Sequence, residues 1–239
     1  MPMIRTGVLK AWEGGDLSGL PKGERIALLR ARMAGLGGEG EDRDMRTGEL
    51  SDVIAVPPEL GNLLENGGVV RRAVTEVANC PALVVELIAH ATSGGGRVGI
   101  VGWPELSLAG VIEHGRLDRV VVIPDPGADR LGTLGVLVEG LDLVIAYWSS
   151  PVALSPVHIR PLLGKLRGGL AALVIVGATV SAPAVRITAS VSSYHGIGAG
   201  VGRIHGIEIT VGVTERGHRP GTATVLVGRG PQPRALKLV

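Results

Sequence analysis

The sequence contains no phenylalanine, and its aromatic complement is three Trp and two Tyr. A single cysteine, Cys80, rules out an internal disulfide and fits a reducing compartment. No apolar run opens the chain, as a secretory leader would require. The most apolar stretch, Leu170 to Val180, is about half the length of a membrane span. A cytoplasmic protein without membrane contact is therefore expected. Charge of one sign is also missing. The net charge is +2, so the composition gives no strong argument for nucleic acid. The one basic region runs from Arg203 onward, where Arg203, Arg216, Arg219, Arg229, Arg234 and Lys237 outnumber Glu208 and Glu215. What the chain does have is apolar material, 45% of residues against 19% charged, which is enough for a sizeable core.

The apolar pattern changes along the chain. Leu20 to Leu36 reads as a helix, with Ile26, Leu29, Met33 and Leu36 on one face and Gly37–Gly38 as its stop. A polar, mostly acidic segment, GEGEDRDMRTGE, reads as a linker, and PPELGNLLENGG as a short apolar element. From Val69 strands and helices alternate. Strands are predicted at Val69–Ala78, Arg97–Gly102, Arg119–Ile123, Leu141–Tyr147 and Ala171–Gly177. Helices are predicted at Pro81–Ala91, Leu106–His114, Arg130–Glu139 and Ser155–Arg167. Fully apolar strands separated by helices indicate a mainly parallel sheet covered on both faces. After Pro183, segments Val185–Val191, Arg203–Val213 and Thr222–Val227 predict an antiparallel extension of that sheet. The tail PQPRALKLV is read as irregular. This gives an N-terminal helix and linker (1–50), an α/β core (51–230) and a C-terminal tail (231–239).

The order of these elements, together with LDRVVVIPDPGADRLGTL and LDLVIAYW, resembles the RecA core. The likeness is greatest to the divergent RecA-like accessory proteins of bacterial mutasomes, the actinobacterial ImuA-prime type, and spans about residues 20 to 230. It implies a RecA-like mainly parallel central sheet flanked by helices, with C-terminal antiparallel strands. It implies a role in damage-induced translesion synthesis and, in complex, association with the nucleoid. The implied partners are an inactive Y-family polymerase-like protein and an error-prone C-family DNA polymerase. Self-association through the N-terminal helix and indirect contact with DNA are implied as well.

The chemistry of a RecA ATPase is missing from the residues themselves. A phosphate loop needs G-x-x-x-x-G-K-[ST], with glycines for close backbone approach, Lys for the phosphates and Ser/Thr for magnesium. Here RRAVTEVA runs into NCPALVVELIAHA, and the Lys and Ser/Thr positions hold Val84 and Val85, or Val85 and Glu86 in the next register. The Walker B acid is absent near Tyr147, Asp142 lies at the wrong end of its strand, and Glu105 is displaced by one position from the water-activating Glu. Phosphoryl transfer rests on positioning and charge neutralisation, so the chain is read as no enzyme, with no catalytic residue and no cofactor. The segments WSSPVALSP and ATVSAPA, which match the recombinase DNA loops in position, are short and lack Lys and Arg. The six histidines and Cys80 show no metal-ligand spacing. GIGAGVG (196–202) leads into a strand, so it is read as a turn rather than a dinucleotide loop.

Three groups remain as candidate partner-binding residues. Trp103, Tyr147 and Trp148 fall at strand ends, where they either plug the vacated pocket, anchor a partner or stack on bases. Ile26, Leu29 and Met33 form either core or a subunit contact. Arg234, Leu236 and Leu238 belong to a tail that is either disordered or ordered on a partner. A DNA-binding regulator using the basic C-terminal region is the alternative function, and an ATPase with unusual site residues a further one.

Overall fold

The computed structural model describes residues 21–35, 52–197 and 204–228. The acidic linker, most of the Gly196–Gly202 turn and the tail with Arg234, Leu236 and Leu238 lie outside them.

Helix α1 (Lys22–Gly35) comes first. A two-stranded antiparallel ribbon follows, β1 (Val53–Ile54) with β2 (Val69–Val70), and one helical turn, α2 (Pro58–Gly61), lies between its strands. The main sheet takes β3 (Val74–Val77), β4 (Val98–Val101), β5 (Val120–Ile123), β6 (Leu143–Ala153), β7 (Ala172–Thr179), β8 (Val185–His195), β9 (Gly206–Glu215) and β10 (Gly221–Gly228). Its helices are α3 (Pro81–Ser93), α4 (Ala109–His114), α5 (Arg130–Leu137) and α6 (Pro156–Gly168). The strand order is β10-β9-β8-β3-β7-β6-β4-β5. Strands β3 to β8 pair parallel, and β9 and β10 add antiparallel. This is the mainly parallel, helix-flanked sheet with antiparallel C-terminal strands that the sequence predicted, and it is consistent with a RecA-like layout.

Alternation along the strands splits the core in two. Leu143 and Ile145 of β6 join Val174, Ile187, Val211 and α3 (Leu83, Leu87, Ile88) on one face. Val144 and Ala146 join Leu173, Ile175, α5 (Leu134, Leu137), α6 (Ile159, Leu162, Leu166) and Leu29 of α1 on the other. Among the described residues no helix covers this second face over β8 to β10, and Arg186, Thr188, Ser190, Thr210, Thr222 and Thr224 are exposed there.

Two predicted elements come out differently. Val69–Ala78 is not one strand. The chain kinks at Arg72, whose φ is 61°, and the kink is pinned by Arg72 N–H on the Ala171 carbonyl and Arg72 Nε on the Gly169 carbonyl. The second difference is WSSPVALSP, predicted as a loop. Strand β6 runs on through Ala153, and its register with β7 shifts between Tyr147 and Val152. The bulge fits because Gly177, at φ 78°, presents no Cβ to the Trp148 carbonyl.

Candidate functional site

Open parallel sheets bind ligands at the carboxyl ends of their strands, and a RecA-type phosphate loop would lie between β3 and α3. Only Ala78, Asn79 and Cys80 join the two elements. The Ala78 N–H donates to the Ile187 carbonyl at 2.8 Å and the Cys80 N–H to the Ala78 carbonyl at 2.7 Å, which ties the turn to β8 and to itself. Pro81 opens α3, so the first helical position has no N–H to offer an anion. One turn on, Val84 is 0% and Val85 9% exposed, both packed in the first core. Glu86 turns instead toward His90, 3.4 Å away. The positions where a nucleotide would need a cation and a hydroxyl are thus core positions.

Beside this turn lies a cleft of about 440 Å³, lined among others by Glu76, Asn79, Val152, Thr179, Arg186 and Thr188. Glu76 is 5% exposed. Its carboxylate accepts the Val180 N–H at 2.5 Å and Arg186 Nε at 2.6 Å. The bond to Glu76 raises the Arg186 pKa above the ordinary arginine value. The guanidinium therefore already serves as the partner of a buried carboxylate. Next to Glu76 in β3, Thr75 Oγ1 is buried without a hydrogen-bond partner.

The three predicted aromatic residues divide between the two faces. Gly102, at φ 78°, turns the chain after β4 so that Trp103 stacks on Tyr147, with centroids 4.2 Å apart and planes 11° apart. Trp103 is 4% exposed and belongs to the first core, with Tyr147 packed at its margin. Trp148 is half-buried against the second core. Arg130 lies 5.0 Å from its ring and donates to the Tyr147 carbonyl at 2.6 Å. Burial lowers the Arg130 pKa, partly opposed by Asp125.

Of the carboxylates weighed from sequence, Asp142 has a structural task at the opposite edge. It accepts the Arg97 N–H at 2.8 Å and pairs with Arg71 at 3.2 Å. Glu105 is exposed. On α1, Leu29 is 3% exposed and Ile26 half-buried, and both pack on the second core; the Met33 side chain lies outside the described residues. Arg25, which sequence reasoning did not single out, is 9% exposed and bonds the Pro126 carbonyl at 3.2 Å. Sequence spacing also gave no hint of Glu65, Glu215 and His218, whose ligand atoms lie within 4.8 Å of one another. They meet because the Glu65 N–H donates to Glu215 while His218 Nε2 lies 3.4 Å from Glu65, which braces the turn after α2 against the end of β9, 150 residues on. Among the described residues no helix is long and apolar enough to cross a membrane.

A family model described as the MT3502 N-terminal domain matches residues 62–182, just over half of the chain. The chain is also similar to a Mycobacterium tuberculosis protein named "Uncharacterized protein Rv3395c". Identity is 26% over 198 residues, covering 79% of this chain and 90% of that protein.

Proposed function

The chain belongs to the MT3502 N-terminal domain family, and from that premise we propose a non-catalytic accessory protein of the RecA-like, ImuA-prime type. It assembles a translesion-synthesis complex through protein–protein contacts. The observation that carries this reading is the β3–α3 turn. A phosphate-binding loop needs backbone N–H groups, a lysine and a hydroxyl facing one ligand. This turn offers Pro81 and a buried Val84 and Val85 instead. The RecA-like layout with its nucleotide corner closed supports a scaffold over a motor. On this reading the partners are the inactive Y-family polymerase-like protein and the error-prone C-family polymerase, and any contact with DNA is indirect. The half-buried Tyr147 and Trp148, at the carboxyl end of the sheet, are a candidate contact.

The test is a pulldown of the polymerase-like partner by the full-length protein, before and after enzymatic removal of nucleotide. Capture that is undiminished by nucleotide removal and weakened by Trp148→Ala is expected. Absence of capture, or capture that disappears with the nucleotide, contradicts the reading.

A further inference from the structure

The two edges of the main sheet are unlike. Strand β5 is an edge of four residues, preceded directly by the charged run Arg116, Asp118 and Arg119. Shortness and charge are the usual protections of an edge. Strand β10, at the other side, has eight residues, GTATVLVG, with no charge and no proline. It pairs with β9 in unbroken register over all eight, with no bulge to twist it away. Among the described residues β10 thus carries neither charge, proline nor bulge against strand addition.

A second observation points the same way. Ala223, Val225 and Val227 pair with Val211, Ile209 and Ile207 and share their face toward the first core. One strand inward, Ile209 and Val211 are fully buried, while Ile207, opposite Val227, is half-buried. In β10 only Val225 reaches that depth; Ala223 and Val227 stay partly exposed, and Leu226 on the opposite face is 40% exposed. Among the described residues no strand continues the core row past β10.

We propose that β10 is the seam of a two-fold symmetric dimer, in which the β10 strands of two copies pair antiparallel and join their sheets into one. An interface of this symmetry must be complementary to itself. A strand without charge meets that condition, because no like charges can oppose each other across the seam. Centred on Thr224, the pairing sets Thr222 opposite Leu226, Ala223 opposite Val225 and Gly221 opposite Val227. The unfinished core rows of both copies then continue into each other.

The experiment is sedimentation velocity with light scattering on the full-length protein over a concentration series. Wild type is expected to dimerise. Thr224→Lys puts two ammonium groups face to face at the seam and should raise the dimer dissociation constant at least ~tenfold. Thr210→Lys adds the same charge to the same open face one strand inward, about 14 Å from its mate at strand spacings of ~4.8 Å. That separation exceeds the Debye length of roughly 8–10 Å, so the constant should stay unchanged. Both threonines are exposed, and circular dichroism checks their folding. If Thr224→Lys alters the spectrum, Thr224→Glu, which sets two carboxylates face to face at the same point, replaces it with the same expectation. A wild-type monomer at the highest soluble concentration overturns the proposal, as does a dimer weakened equally by the Thr210 variant or by neither edge variant.

Discussion

Val84 decides what the β3–α3 corner can do. Its side chain is fully enclosed by the first core, so restoring the lysine of a phosphate loop there buries an unpaired cation. Breaking or burying a charge without a partner costs about 3–5 kcal/mol. Val84→Lys is therefore expected to lower stability by about that much in chemical denaturation, with no gain of nucleotide affinity. A stable Val84→Lys protein that binds ATP would show the corner to be a site with one residue missing. Glu76 offers a second test. Its carboxylate satisfies a buried backbone N–H and a guanidinium. Glu76→Ala should cost about 2–3 kcal/mol, chiefly from the orphaned Val180 N–H, and Glu76→Gln less, because its amide oxygen can still accept. Urea midpoints of the two variants check the order. The absence of Lys and Gly at the corner was legible in the sequence. The Glu76–Arg186 bond was not, because its partners lie 110 positions apart and neither belongs to a motif.

At the scale of elements, α1 shows how far periodicity carries. The spacing of Ile26 and Leu29 announced one apolar face, and it left open whether the core or a neighbouring subunit would cover it. In the fold that face lies on α5 and the second core, with Arg25 holding the Pro126 carbonyl. Leu29→Ala removes a buried side chain, a change that costs about 2–5 kcal/mol in cores. Because α1 meets the core through few residues, the expected result is local. Amide exchange should rise over Lys22–Gly35 with little change in β6 or β7. Uniform acceleration across the sheet would contradict the local docking described here. The extension of β6 past Tyr147 shows the opposite limit. Ser149, Ser150 and Pro151 look like a loop by composition. They become strand because Val152 and Ala153 find Ala178 and Thr179 on β7, with Gly177 opening room for the bulge. Only the partner strand reveals that.

Across the whole molecule, the matched family segment, residues 62–182, ends just before β8 begins at Val185. It holds the parallel strands β3 to β7 and the closed nucleotide corner. Beyond it, β8 and the antiparallel β9 and β10 carry the face that no described helix covers and the uncharged β10 edge. The alternation of apolar strands and helices made the sheet legible, since buried parallel strands read as continuous apolar runs. Which face of the extension would lack helices was not legible, because it depends on where α1, α5 and α6 come to rest. Both halves bear on one claim: the fold is RecA-like in layout and its nucleotide corner is filled by the protein's own core. Isothermal titration of the full-length protein with ATP and magnesium tests that claim most directly. The account predicts no heat beyond dilution; saturable binding at micromolar concentration, about −8 kcal/mol, would contradict it.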